Sequence, residues 1–276
     1  MDSFYLCKVF KLSIMKRILL LAALLLPVVL VSCKKTDPLV KDNNHPIVKP
    51  EAVDMGIIVN GKNIKWASFN LGASQEGEYG NYYAWGETVT KKDGYSWKTY
   101  AYANEIGTEF TKYCLASQDD WWGGSRNVDN ADMLKSSDDA AKKNLRGNWR
   151  MPTLDEVLAL LYTQKLSNYK WEYEEEAIDE DYNEVKNVYG NTIYGVRITF
   201  KDTGANIFLP LGGRIIDKSP EEVNELGFYW TSSLSEGEEG GPDGAYCLGL
   251  EIGGPAGRWS IGRYYGALVR PVYVEE

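Results

Sequence analysis

The sequence predicts an α+β domain: two central helices, antiparallel sheets around them, and long ordered loops. Three observations predict it. Capped, helix-patterned stretches occur twice in mid-chain, at Ser136 to Gly147 and at Arg150 to Leu161. Strand-like apolar runs flank them, most densely in the last third. Between residues 88 and 130, Gly, Tyr, Trp and polar residues follow no sustained period, which reads as loop. Helices segregated from antiparallel strands define the class.

Each element has its own warrant. "GIIVNGKNIKWASFNLG" (Gly56 to Gly72) reads as a hairpin, with Asn60-Gly61 as the turn between two apolar runs. "GNYYAWGE" (Gly80 to Glu87) reads as an aromatic strand or ordered loop. "SSDDAAKKNLRG" (Ser136 to Gly147) has serine caps, early aspartates, late lysines and a closing glycine, the order a helix macrodipole favours. In "RMPTLDEVLALL" (Arg150 to Leu161), Thr153 and Glu156 form a capping box. Leu154, Val157, Leu158 and Leu161 then fall at i, i+3, i+4 and i+7, the spacing of one helical face. This motif is the start of a helix rather than a site, and only Arg150 has no assigned role. The strand signals that follow are "TIYGVRITF", "NIFLPLGG", "FYWTSS", "AYCLGLEIG" and "RWSIGRYYGALVRPVYV".

Several chemistries are excluded or unsupported. The single histidine is His45, so a Ser-His triad, a Cys-His pair and a histidine-ligated zinc site have no partner in the globular part. No phosphate-binding glycine pattern links a strand to a helix. Asp179, Asp181 and Asn183 begin like a calcium loop, but Glu184 and Gly190 stand where glycine and glutamate are required. Neither a metal nor another cofactor is expected. The 19 Tyr and 9 Trp outnumber the 7 Phe, and cluster in "YYAW", "DDWWGG", "FYW" and "RYYG". Rings with a polar handle suit sugar or protein recognition, and they also suit the pinning of long loops. Pinning is the expected role of most of them.

The N-terminus reads as a targeting leader. Lys16-Arg17 precede an apolar run, Ile18 to Val31, that is short for a membrane span of roughly 20 residues. "LVSC" (Leu30 to Cys33) looks like the lipobox of a bacterial lipoprotein, with Cys33 as the acylated residue. Met15 is an alternative start. The expected organisation is a signal peptide over 1–32, a lipidated polar tether over 33–52 and a globular domain over 53–276. Lys34 after the cysteine, in place of aspartate, resembles sorting to the outer membrane; the face exposed stays open. The leader carries four cations and one anion, so its removal takes the formal charge from −9 to −12. Such an acidic chain is not expected to bind nucleic acid, or to grip anionic lipid except through the N-terminal lipid. Cys114 and Cys247 remain in the domain, and their pairing is left open.

"GNYYAWGE", "DDAAKKNLRGNWRMPTLDEV", "FLPLGGR", "YWTSS" and "RYYGALVRPV" occur in this order. Together they resemble the Fibrobacter-type major paralogous domain, abundant in Bacteroidetes lipoproteins. That family looks like a branch of the C-type-lectin-like fold shared with formylglycine-generating enzymes, so the resemblance implies a C-type-lectin-like domain. The oxidase branch uses two cysteines in its C-terminal part, where this chain has only Cys247. The Glu-Pro-Asn and Trp-Asn-Asp sugar motifs of animal lectins are absent. Variable proteins of diversity-generating retroelements often end in a pattern matched here by Arg263, Gly266, Val269, Arg270, Pro271 and Val272. In such proteins the residues just before that ending form the ligand-binding face. The resemblance thereby implies Glu251, Arg258, Trp259, Ser260, Tyr264 and Tyr265 as ligand-binding residues.

The expected function is that of a lipid-anchored cell-envelope protein, a non-catalytic binding module for a protein or glycan ligand. The alternatives are a structural or adhesin assembly subunit and, less favoured, an oxidase of the formylglycine type.

Overall fold

The computed structural model describes residues 47–116, 127–174, 194–236 and 243–275. The leader, Cys33, His45, the paired tryptophans Trp121 and Trp122, and the failed calcium-loop positions lie outside the described residues.

The domain begins with the expected hairpin. Strand β1 (Ala52–Val59) and strand β2 (Lys62–Ala67) pair antiparallel from Ala52 opposite Ala67 to Val59 opposite Lys62. The turn between them has Asn60 at φ 50° and Gly61 at φ 76°, the positive pair that a two-residue primed turn demands. "GNYYAWGE" is ordered loop, with a bridge from Tyr83 to Ala267 and backbone bonds from Asn81 to Leu71 and from Trp85 to Arg263.

The mid-chain departs from expectation. The structure is mostly β, 39% strand against 11% helix, with one substantial helix and several small antiparallel sheets. This overturns the α+β reading with two central helices. The first of them shrinks to α1 (Ala140–Leu145), six residues that bury only Ala140 and Ala141. Its cap is Asp139, not a serine: the carboxylate accepts from the Lys142 N–H and also from the Met151 N–H. Arg146 and Gly147, both at φ 60°, end it after a turn and a half. A helix that short has no stability of its own and exists through such tertiary bonds.

Strand β3 (Trp149–Arg150) leads into α2 (Leu154–Tyr162), which starts with the expected capping box. Thr153 Oγ1 accepts from the Glu156 N–H at 3.3 Å, and Glu156 Oε2 accepts from the Thr153 N–H at 2.8 Å. The buried face is not the one the spacing suggests. Val157 and Leu160 are buried, whereas Leu158 is 41% exposed. The helix packs against β1 on one side and, on the other, the sheet formed by the strands within residues 226–262, so its core stripe runs between two surfaces.

The second half is strand. Strands β4 (Tyr169–Glu174), β5 (Gly195–Phe200) and β6 (Ala205–Pro210) form an antiparallel meander. A small hairpin, β7 (Arg214–Ile216) with β8 (Ser219–Glu221), follows. Strands β9 (Leu226–Leu234), β10 (Gly244–Glu251) and β11 (Gly257–Gly262) make the third sheet, ordered β11-β10-β9. The last strand, β12 (Val272–Val274), returns to lie between β2 and β3.

The β9–β11 sheet separates two hydrophobic clusters. Alternation sends Tyr229, Leu248 and Leu250 into one, with Val157, Leu160, Met55, Trp66 and Val196. Phe228, Trp230, Ala245 and Cys247 face the other, with Trp85, Tyr113 and Ala141. Both faces being covered, the strands read as near-continuous apolar runs.

Tyrosine exceeds phenylalanine because the rings also pin loops. Hydroxyls of Tyr82, Tyr95, Tyr100 and Tyr229 donate to the carbonyls of Gly212, Tyr82, Trp85 and Pro210 at 2.5–2.9 Å. The indoles of Trp85 and Trp230 donate to Thr231 and Tyr83 carbonyls at 2.8 and 2.7 Å. Each ring thus buries apolar area while its polar atom finds a backbone carbonyl in a distant segment, which ties the two segments together.

The arginines of the C-terminal motif are structural in the same sense. Arg270 is 1% exposed and donates to Asn70 Oδ1, the Ala67 carbonyl and the Phe208 carbonyl at 2.8, 2.8 and 2.5 Å. Burial pulls its guanidinium down to about 10. Arg263, equally buried, donates to the Tyr113 carbonyl and lies 3.9 Å from the Phe110 ring centroid.

Candidate functional site

The six residues implied by the C-terminal resemblance all belong to β10, β11 and the turn after it, but they do not share one surface. Tyr246 opposes Ser260 and Leu248 opposes Arg258, so Arg258 and Ser260 lie on one face of the sheet. There the Arg258 guanidinium sits 5.1 Å from the Tyr246 ring. The Ser260 Oγ is buried and has no hydrogen-bond partner among the described residues. Trp259 opposes Cys247, which opposes Trp230, and this row is on the other face. Glu251 is exposed at the end of β10, beyond the Gly249–Gly257 pair. Tyr264 and Tyr265 follow the opposite end of β11, a strand length of about 17 Å away.

What the fold does bring together is aromatic. Trp259 lies over Gly249, where a Cβ would come within 1.9 Å of the indole, so only glycine admits this ring. Its ring is 5.5 Å from that of Phe228. The Arg214 guanidinium is 4.9 Å from the Phe228 ring and 4.9 Å from the Tyr265 ring. Tyr265 is 4.2 Å from Tyr264, which is 4.4 Å from Trp97. The result is a continuous row, Trp259–Phe228–Arg214–Tyr265–Tyr264–Trp97, with an arginine wedged between rings at its centre.

Local structure explains the wedge. The parallel bridge from Gly213 to Gly227 sets Arg214 beside Phe228, and the antiparallel bridge from Ile215 to Gly266 brings the segment carrying Tyr265 close enough for its ring to meet the guanidinium. Glu222, on the far side of the β7–β8 hairpin, stands 3.0 Å from the Arg214 Nε and holds the head group in place. Phe228 is buried, whereas Trp97, Trp259, Tyr264 and Tyr265 are half-buried, and their outer parts reach solvent. Burial, with the neighbouring Tyr265 hydroxyl next, pushes the Tyr264 hydroxyl above its ordinary range, so it remains a neutral donor.

Sequence reasoning reached Trp259, Tyr264 and Tyr265 but missed Trp97, Arg214 and Phe228. "FLPLGGR" and "FYW" contain two of these, yet no spacing rule ties them to a ring some 30 residues later. Trp97 sits in a 3₁₀ turn (Trp97–Thr99) far earlier in the chain.

Cys114 and Cys247, the two cysteines among the described residues, are both buried and are not joined to each other. Cys114 packs in the first hydrophobic cluster and Cys247 in the second. Burial pushes the Cys247 thiol far above its ordinary range. Among the described residues, no three His, Cys, Asp or Glu side chains are grouped to hold a metal ion. No protein-family model, no characterised relative and no solved structure matches this chain.

Proposed function

We propose that this chain is a lipid-anchored cell-envelope protein, attached to the outer membrane through Cys33, whose domain binds a protein or glycan ligand without transforming it. The observation that carries the reading is the half-buried aromatic row around Arg214. Rings already braced by one another and by a cation lose little conformational freedom on binding, and their polar edges give a ligand both apolar contact and hydrogen bonds. The lipobox-like "LVSC" and the acidic composition supply the location and the preference against nucleic acid. The resemblance of the ordered motifs to Bacteroidetes lipoprotein domains supports the same reading. The oxidase alternative is disfavoured, because a buried cysteine with a raised pKa is a poor nucleophile.

The test is a glycan array together with a pull-down from envelope extracts, using the full chain and the Tyr264→Ala and Trp97→Ala variants. Capture of a defined glycan or protein, weakened at least tenfold in both variants while their circular dichroism is retained, is expected. Equal capture by all three chains would place binding elsewhere. Metabolic labelling with a fatty acid, lost in Cys33→Ser, checks the anchor.

A further inference from the structure

Helix α2 turns two large apolar side chains outward. Leu158 is 41% exposed and Tyr162 is 58% exposed, one helical turn apart on the same ridge. Single exposed apolar residues are ordinary and need no partner. What distinguishes this ridge is its charge and spacing. Asp155, three residues before Leu158, and Lys165, three residues after Tyr162 in the 3₁₀ turn (Thr163–Lys165) that continues the helix, are both exposed. Neither has an ion-pair partner among the described residues, and the Lys165 ammonium rests 5.9 Å from the Tyr162 ring.

The order Asp155, Leu158, Tyr162, Lys165 is therefore palindromic about Leu160, with opposite charges at its ends. Run antiparallel against itself about a two-fold axis, the ridge sets Leu158 against the other copy's Tyr162, and Asp155 against the other copy's Lys165, each twice. We infer that the outer face of α2 docks a second copy of this chain in an isologous, antiparallel helix pair. A two-fold contact uses the same patch on both copies, which a palindromic ridge satisfies without any further surface. One helix ridge covers less than the roughly 800 Å² per partner of a standard interface, so the dimer is reversible. Two chains tethered in one membrane plane would meet at raised effective concentration.

The experiment co-expresses two differently tagged copies of the full chain in a Gram-negative envelope and measures co-purification after membrane solubilisation. Wild-type copies should co-purify. Asp155→Lys alone and Lys165→Asp alone each place like charges opposite one another, and each should cut recovery at least fivefold. The double variant restores both pairs with reversed sign and should recover to within twofold of wild type. Restoration also separates a charge effect from misfolding, since a folding defect in either single variant would persist in the double. Absence of wild-type co-purification, co-purification indifferent to all three variants, or a double variant no better than the singles would each overturn the inference.

Discussion

Arg150 grips the carboxylate that caps the following helix: its two terminal nitrogens donate to Glu156 Oε2 at 2.7 Å and Oε1 at 2.5 Å. The same Oε2 accepts from the Thr153 N–H at 2.8 Å. The Glu156 side chain is 4% exposed, so these donors take the place of the water it has lost. Arg150 thus ties β3 to the first turn of α2, which gives a role to the one residue of "RMPTLDEVLALL" that the capping and spacing rules left without one.

Arg150→Ala should lower stability by about 2–3 kcal/mol, because it leaves a buried carboxylate with one donor. Thr153→Ala, which removes only a neutral cap, should cost about 1 kcal/mol. Urea denaturation at neutral pH checks both, and equal losses would show that the Arg150 pair is no more than a surface contact.

Gly249→Ala should be strongly destabilising, by about 1–3 kcal/mol, because the added methyl meets the Trp259 indole. Trp259→Ala should itself lower the melting temperature, since the ring covers Gly249 and packs on Phe228. In the double variant the two losses should be clearly less than additive, a coupling that a double-mutant cycle reads directly. Additive losses would mean the ring and Gly249 are not in contact in solution.

Acid should expose a second dependence. Burial pulls the Asp138 carboxyl upward, but hydrogen bonds from Lys112, Tyr113 and Ser137 outweigh it and hold the group below its ordinary 3.8. Asp129 is held down likewise, by backbone N–H groups of Cys114, Tyr113 and Ala131 acting against burial. A depressed carboxyl stabilises the fold above its unfolded pKa, and that stability drains as pH falls below 3.8 toward the folded value. Urea midpoints followed from neutral pH to about pH 3 should therefore fall, and fall less steeply in Asp138→Asn. The same slope in wild type and variant would remove Asp138 from the explanation.

Cys114 and Cys247 should resist alkylation in the native protein and react fully in denaturant. Peptide mass spectrometry resolves them from the N-terminal cysteines. A cross-linked Cys114–Cys247 peptide, or rapid native labelling of Cys247, would contradict two separately buried thiols.

The legible parts of the fold were those governed by neighbours in sequence. Asn60-Gly61 makes its turn because two adjacent residues accept positive φ, and Thr153 caps Glu156 because three residues of helix bring them together. The strand runs "FYWTSS" and "AYCLGLEIG" became β9 and β10 for the same reason, an unbroken β-favouring composition. The first helix of the expected pair was not legible from its own residues, since the Asp139 cap that anchors α1 serves Met151 as much as its own turn. Of the candidate site, three half-buried rings were named in advance and the cation that joins them was not.

By itself, then, the sequence determined the hairpin turn, the start of α2, the β-rich second half and the supply of rings able both to fill a core and to bond a carbonyl. Only the tertiary structure decided which side of each element is buried. Leu158 and Leu160 are equally apolar, but β1 and the β9–β11 sheet approach α2 from directions that cover one and leave the other in solvent. Trp259 and Arg258 are neighbours in the chain, yet the two-residue period of β11 puts them on opposite faces. Arg214 meets Phe228 and Tyr265 because bridges between distant residues place it there. Local propensity acts over a few residues, whereas burial and juxtaposition arise from pairings tens to hundreds of residues apart.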